Sequence, residues 1–378
     1  MNLETYFNFW HSLIGIKNSK RRLLLSFYLP TKKYLGQRRN NWMKYRIVSL
    51  LVVGVMILGF AGLSLAEEYY ASPYGTDVTL PPEFDDSIKV IFTDRLGIPH
   101  PAVIYLPRHF DPSKKYPAIV CTGGWMGSLE MYNIMAKMLA YHDYIAMQIH
   151  PTLETTLISS MVLSAVTLKW VHDVQDAITY LIERSPVKQW VDPGRIGVEG
   201  HSMGGFTVSR VAVLDDRVKA VVALSNGTII AGPFKKCPVM VITGDFDIII
   251  NDQLFAYPYY YACTPPKELI VIKGGTHDGF SNLVDPFYPK PPWQHWTWEY
   301  YATAWFDYWL KGDQSALKKL TNTLYTPYGV ECLSAVHNSV YNFGDGDHVI
   351  AGPGKLDPYY AVAQALGGLG LSSLFALP

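Results

Sequence analysis

Only four of the 378 residues are cysteine, Cys121, Cys237, Cys263 and Cys332, and none stands in a CxxC or Cys/His spacing, so neither zinc nor dithiol redox chemistry is suggested. Cys121 and Cys237 fall inside apolar, strand-like runs of the kind that bury a free thiol, which leaves Cys263 with Cys332 as the favoured pair if the chain is exported and oxidised. An excess of charge of either sign is also missing, since 32 Lys and Arg balance 32 Asp and Glu. The balance hides an asymmetry. Residues 1–46 carry ten basic residues and one acid, so residues 67–378 hold 22 basic against 31 acidic, and nothing there resembles a basic footprint for nucleic acid. No internal repeat is visible, and with 49% apolar residues the composition is neither disordered nor collagen-like.

What is present begins with an uncharged run of about twenty residues, 47–66 (IVSLLVVGVMILGFAGLSLA), long enough to span a bilayer. Lys44 and Arg46 precede it and Glu67 and Glu68 follow, the polarity of a segment whose N-terminal flank stays in the cytoplasm. Read from Met43, the string has a short basic head, an apolar middle and small residues at Ser64 and Ala66, which predicts a signal peptide cleaved before Glu67. The alternative is an uncleaved signal anchor, and a membrane enters the picture only if 47–66 is retained. Either way the remainder is expected outside the cytoplasm. Residues 1–66 are thus a basic leader with a signal peptide or anchor, 67–312 a catalytic domain, and 313–378 a C-terminal extension without an assigned role.

From residue 88 onward, short apolar β-branched runs alternate with longer stretches of helical period, the pattern of a mostly parallel sheet covered by helices. Eight strand candidates follow: Lys89–Thr93, Ala102–Leu106, Ala118–Thr122, Tyr144–Ile149, Arg195–Glu199, Ala220–Leu224, Val239–Thr243 and Leu269–Ile272. Helices are predicted at Glu130–Tyr141, Val171–Arg184, Gly205–Val213 and Trp298–Leu310. In the second, Val171, Ala177, Ile178, Leu181 and Ile182 form an apolar stripe and Asp173, Asp176 and Glu183 a polar side. The aromatic-rich stretch from Trp293 to Trp309 is read mainly as the anchor of the last helix on the sheet.

Gly200-His201-Ser202-Met203-Gly204 fits the GxSxG pattern, in which a serine is exposed on a sharp turn between a strand and a helix. The strand Arg195–Glu199 precedes it and the Gly205 helix follows, which is the required setting. A serine hydroxyl needs a base to take its proton and a carboxylate to orient that base. Asp245 and Asp247 follow the strand Val239–Thr243, and His277 follows Leu269–Ile272 within Gly274-Gly275-Thr276-His277-Asp278-Gly279. All lie where open α/β sheets place their sites, in the order Ser, Asp, His. An acyl-transfer site also needs two backbone N–H groups for an oxyanion. Met203 is the first candidate, and the loop Thr122-Gly123-Gly124-Trp125-Met126-Gly127 offers Gly124 or Trp125 as the second, with Trp125 preferred. Gly124, Trp125 and Phe280 are the candidate substrate contacts, with Phe287, Tyr288 and Trp293 as further candidate wall residues. His201 and Glu199 flank the turn as packing groups, and His150 is a loop or pocket histidine.

The segments GHSMGG, Val191–Gly197, TGDFD and GGTHDGF together resemble the dienelactone-hydrolase-like and cutinase-like branches of the α/β-hydrolase superfamily, over about residues 85–312. The resemblance implies an α/β-hydrolase fold, a mostly parallel eight-stranded sheet flanked by helices. It also implies a serine carboxylic-ester hydrolase that needs neither cofactor nor metal. Dienelactone hydrolases proper use a cysteine nucleophile, so Ser202 points to the esterase branch. Related enzymes place the acid three residues after the glycine that ends its strand, which selects Asp247 over Asp245. No long insertion resembles a separate cap domain, so an open cleft for bulky or polymeric esters is expected. Trp125 and Met203 are similar to residues of polyester-degrading relatives, although Ser225-Asn226-Gly227 stands where those carry a tryptophan. The expected substrates are short- to medium-chain esters and, more slowly, polyesters such as poly(ethylene terephthalate). A serine peptidase or acyltransferase with the same residues, and a non-catalytic binding protein on the same fold, remain the alternatives.

Overall fold

The computed structural model describes residues 87–125, 127–150, 169–226, 237–283, 289–322 and 329–354. The predicted leader and apolar run at 47–66 and the candidate pocket residues Phe287 and Tyr288 lie outside these segments. Among the described residues no helix is long and apolar enough to cross a membrane.

Ten strands form one sheet: β1 (Ser87–Thr93), β2 (Pro99–Tyr105), β3 (Tyr116–Thr122), β4 (Ile145–Ile149), β5 (Val191–His201), β6 (Val218–Leu224), β7 (Val239–Gly244), β8 (Lys267–Ile272), β9 (Ser339–Asn342) and β10 (His348–Ala351). Their spatial order is β1-β2-β4-β3-β5-β6-β7-β8-β9-β10. The six strands from β4 to β8 run parallel, while β1 and β2 on one side and β9 and β10 on the other are antiparallel. The chain has the α/β-hydrolase fold. All eight expected strands are found, but the expected count of eight is short by two, because the segment after Gly312 supplies β9 and β10. Each is only four residues long and partly exposed, beside the turn glycines Gly344 and Gly346, so neither shows a readable alternation.

The parallel strands are buried on both faces, which explains their unbroken apolar runs, and β3 is buried at every position. Alternation sends Ala118 and Val120 to one face and Ile119 and Cys121 to the other. The first face packs against α2 (Lys169–Glu183) through Val174, Ile178 and Leu181, and against α3 (Met203–Leu214) through Val208 and Val211. The second is covered by α1 (Leu129–Tyr141) and α5 (Trp293–Phe306), which bury Met135, Leu139, Trp298, Tyr301 and Trp305. A fully buried tryptophan accounts for about 3–5 kcal/mol on truncation to alanine, so the aromatic stretch fastens α5 to the sheet. The short helices α4 (Ala256–Ala262) and α6 (Ala316–Thr321) escaped the sequence pattern. In α4 a proline and four tyrosines hide the period, yet Pro258 sits in the first turn, where no backbone N–H is needed.

Two expectations are corrected. All four cysteines are free: Cys263 packs on the first face and Cys332 on the second, so the sheet separates the pair favoured from sequence. Asp173 and Asp176 of α2 do not face solvent either. Asp176 takes a bidentate contact from Arg95, and Asp173 lies buried with Asp94, His100 and Lys169 beneath the β1–β2 turn. The hairpin covers that part of the helix, a tertiary contact that helical periodicity does not reveal.

Glu199 is a buried acid in the second face. It is fully buried on β5, and Oε1 accepts a 2.6 Å hydrogen bond from Trp298 Nε1. Burial pushes its carboxyl from 4.5 up to about 8, against the opposing pull of the indole N–H. The folded chain then holds a proton that the unfolded chain releases, so stability falls as pH rises from about 4.5 to about 8 and the loss is complete above that. Glu199→Gln keeps the acceptor for Trp298 without the ionisation. Thermal or urea unfolding should find the variant more stable than the parent at pH 9, by on the order of 1–4 kcal/mol, and nearly equal to it at pH 5. Equal stability at both pH values would contradict this reading.

Candidate active site

The site is assembled at the C-terminal ends of β3, β5, β7 and β8. Ser202 stands between β5 and α3 with φ 53° and ψ −118°, a backbone region that costs a non-glycine residue about 1–3 kcal/mol. The turn is closed by backbone contact alone. A side chain at Gly200 would overlap the Gly204 carbonyl, and one at Gly204 would overlap the carbonyls of Thr122 and Gly123. Those two glycines let the helix start directly over the strand ends, leaving Ser202 as its N-cap with the hydroxyl directed away from the helix.

His277 lies in a short 3-10 turn, His277–Phe280, just past β8. Its Nε2 is 3.0 Å from Ser202 Oγ, and its Nδ1 is 2.8 Å from Asp247 Oδ2. Asp247 is 2% exposed, and its other oxygen accepts the backbone N–H groups of Ile249 (3.0 Å) and Ile250 (2.7 Å). All acceptor capacity toward the imidazole is therefore aimed by the chain itself. Asp245, the rival acid, turns the other way: its Oδ1 accepts the Gly274 N–H at 2.6 Å and ties the β7 loop to the β8 loop. The structure thus brings together Ser202, His277 and Asp247 and leaves Asp245 outside the line.

Several residues that support this geometry carried no readable sign. Gln294 of α5 is fully buried, accepting the Thr276 N–H (3.0 Å) and donating to the Thr276 carbonyl (2.8 Å), which pins the residue before the histidine. Gly279 has no room for a side chain because Gln294 fills that space. Gly244 and Gly275 touch backbone to backbone, so the loops bearing Asp247 and His277 meet where any Cβ would clash. Both glycines stood in the sequence motifs, but what they make room for was not legible.

Opposite His277, α3 begins at Met203, and the first N–H groups of a helix have no intrahelical acceptor. The loop after β3 runs close by: a Cβ built on Gly124 would lie 3.1 Å from the Ser202 Cβ. Trp125 is half-buried beside it and Met203 is nearly buried. His150 Nε2 contacts the Gly127 carbonyl at the far end of this loop. Phe280 is a correction, because it is fully buried against His201 and Trp298 and so cannot line an open cleft. Its apolar type and place beside His277 suggested a wall, whereas it belongs to the core under α5. Phe246 (51% exposed), Ile248 (58%) and Leu254 (57%) are exposed apolar side chains of the segment that carries Asp247.

His201 is fully buried, with its ring 4.7 Å from that of His277. Burial first, and the neighbouring His277 second, hold it well below the ordinary imidazole range, so it is neutral at working pH. One cluster among the described residues has the make-up of a metal site: Asp94, His100 and Asp173, remote in sequence from these loops. There Lys169 Nζ, 3.5 Å from Asp94 and 3.4 Å from Asp173, already supplies the positive charge. Chemically, the arrangement around Ser202 can take the hydroxyl proton and stabilise negative charge on an attacked carbonyl.

Comparison with known proteins gives the same direction. A family model described as PETase, PET hydrolase-like, matches residues 100–314. Cutinase est2 of Thermobifida alba is 25% identical over 181 residues, 46% of this chain and 56% of that protein. A bis(hydroxyethyl) terephthalate hydrolase of Streptomyces coelicolor is 34% identical over 85 residues, 22% of this chain and 27% of that protein. Lipase 1 of Moraxella sp. is 28% identical over 101 residues, 27% of this chain. The chain spans little more than half the length of the cutinases it matches. The family match takes in more than half of the sequence and the ends of β3, β5, β7 and β8, and the chain belongs to the PET hydrolase-like family.

Proposed function

We propose that the chain is a serine carboxylic-ester hydrolase acting through Ser202, His277 and Asp247 and an acyl-enzyme. The observation that carries this reading is the continuous line Asp247–His277–Ser202, with contacts of 2.8 and 3.0 Å, ending on a serine held at positive φ. Ser202 Oγ attacks the ester carbonyl while His277 Nε2 takes its proton. The oxyanion receives the N–H groups of Met203 and Trp125. The C–O bond to the alcohol breaks as His277 returns the proton to the leaving oxygen. Water, deprotonated by His277, then attacks the acyl-serine; collapse releases the acid and restores Ser202. Asp247 fixes the imidazole with Nδ1 protonated, and its two backbone N–H partners keep it in place.

The substrates proposed are short- to medium-chain esters and, more slowly, aromatic polyesters such as poly(ethylene terephthalate). The indole of Trp125 beside the scissile bond and the exposed Phe246, Ile248 and Leu254 support a bulky apolar substrate. The relatives' names, cutinase and bis(hydroxyethyl) terephthalate hydrolase, point to the same class. We also propose that residues 47–66 direct the catalytic part out of the cytoplasm and are then removed.

Asp247→Asn should lower kcat/KM for a nitrophenyl ester by about 10³–10⁴-fold, because the amide favours the wrong imidazole tautomer. Asp245→Asn should cost less than about tenfold, since it loosens only the loop contact to Gly274. The reverse order would overturn the choice of acid. On a panel of nitrophenyl esters, a polyester film and a peptide amide, activity should peak at short to medium acyl chains with slower release from the film. Cleavage confined to the amide would move the chain to the peptidases. Intact-mass measurement on protein from its native host should show a chain beginning at Glu67, whereas a membrane-bound chain retaining 47–66 would contradict cleavage.

A further inference from the structure

The mechanism above makes no use of Tyr132, a buried tyrosine in the first turn of α1. Its ring fills a slot between two glycines of the β3 loop, and a side chain at either Gly123 or Gly127 would overlap it. The loop is therefore wrapped around the tyrosine. The phenolic oxygen reaches the centre of the site from behind. It lies 2.9 Å from His201 Nδ1 and 2.8 Å from where a Cβ of Gly124 would stand, while the same Gly124 position is 3.1 Å from the Ser202 Cβ. Burial pushes the phenol's pKa up, so Oη keeps its proton.

Oη and His201 Nδ1 share one hydrogen bond, and either atom can donate it according to the His201 tautomer. Neutral His201 suits its place, since a second positive charge next to His277 would oppose the imidazolium that forms during acylation. The chain Gly124–Tyr132–His201 connects the loop bearing the Trp125 N–H to the residue just before the nucleophile. It crosses behind the site without entering the cleft.

We propose that Tyr132 is a positioning residue. Its hydroxyl, bonded to His201 Nδ1 and packed against Gly124, sets the distance between the oxyanion-binding loop and Ser202 and holds the His201 ring in place. This rests on the ester-hydrolase reading and adds a group behind the oxyanion donors. An error of about 1 Å in such a donor can cost about 10²-fold in rate, so the bond matters most when the oxyanion forms and little when the ester is bound.

The decisive variant is Tyr132→Phe, which keeps the ring in its slot and removes only the oxygen. With active sites counted by fluorophosphonate titration, kcat for a soluble nitrophenyl ester should fall about 10–100-fold. KM should stay within about twofold, and affinity for a boronic-acid inhibitor should fall by the same factor as kcat/KM. A group that merely stabilises the fold would lower the melting temperature and leave kcat per titrated site unchanged, and that result overturns the proposal. His201→Asn and His201→Leu provide an independent pair. An asparagine amide can replace Nδ1 as partner of the Tyr132 hydroxyl and should retain most of kcat, whereas leucine should reproduce the Tyr132→Phe loss. Equal kcat in the two His201 variants also overturns it. A parent protein that neither hydrolyses esters nor takes the label would defeat the ester-hydrolase reading itself. A fully active parent with an equally fast Tyr132→Phe would defeat only the positioning role.

Discussion

The turn between β5 and α3 is the constraint on which the rest depends. Ser202 can be held at φ 53° only because Gly200 and Gly204 allow strand and helix backbones to touch, and Gly204 in turn rests on the carbonyls at the end of β3. The strain is maintained by burial on every side: β5 lies between β3 and β6 in the middle of the sheet. The sheet, its two helical layers and the aromatic anchoring of α5 together hold one serine in a conformation it would not adopt alone. The two proposed oxyanion donors follow from the same contact, since it starts α3 at Met203 and sets the β3 loop beside Ser202.

A second close approach does for His277 what this one does for Ser202. Gly244 against Gly275 fixes the separation of the loops after β7 and β8, Asp245 ties them through the Gly274 N–H, and Gln294 brackets Thr276. The His277 imidazole is left little freedom, and Asp247 is oriented by backbone N–H groups rather than by mobile side chains. Tyr132 and His201 complete the pattern behind the loop after β3. Two pairs of neighbouring strand ends, β3 with β5 and β7 with β8, are thereby locked together by short-range contacts, and Ser202, His277 and Asp247 lie where they meet.

The features that could be read directly were those encoded by local pattern. Unbroken β-branched runs located the parallel strands because both faces of β3 to β8 are buried, and the strained turn demanded glycines at fixed spacing around Ser202. Asp247 was distinguished from Asp245 only by resemblance to related enzymes; the distinction rests physically on which carboxylate receives the Ile249 and Ile250 N–H groups, and spacing alone does not specify that. Phe280 looked like a pocket residue because a fully buried and a cleft-lining phenylalanine have the same sequence. The burial of Asp173 and Asp176, the partnership of Tyr132 with His201 and the bracket formed by Gln294 are contacts between distant segments, for which helical or strand period carries no signal. The short β9 and β10 were missed because four residues cannot display an alternation.

The central claim is that the strained, base-linked Ser202 is a nucleophile. Treating the protein with a fluorophosphonate and mapping the adduct by peptide mass spectrometry tests it most directly. The account predicts one equivalent of label, carried by the peptide containing Ser202, with labelling abolished in Ser202→Ala. Label on a different residue, or undiminished labelling of Ser202→Ala, would contradict it.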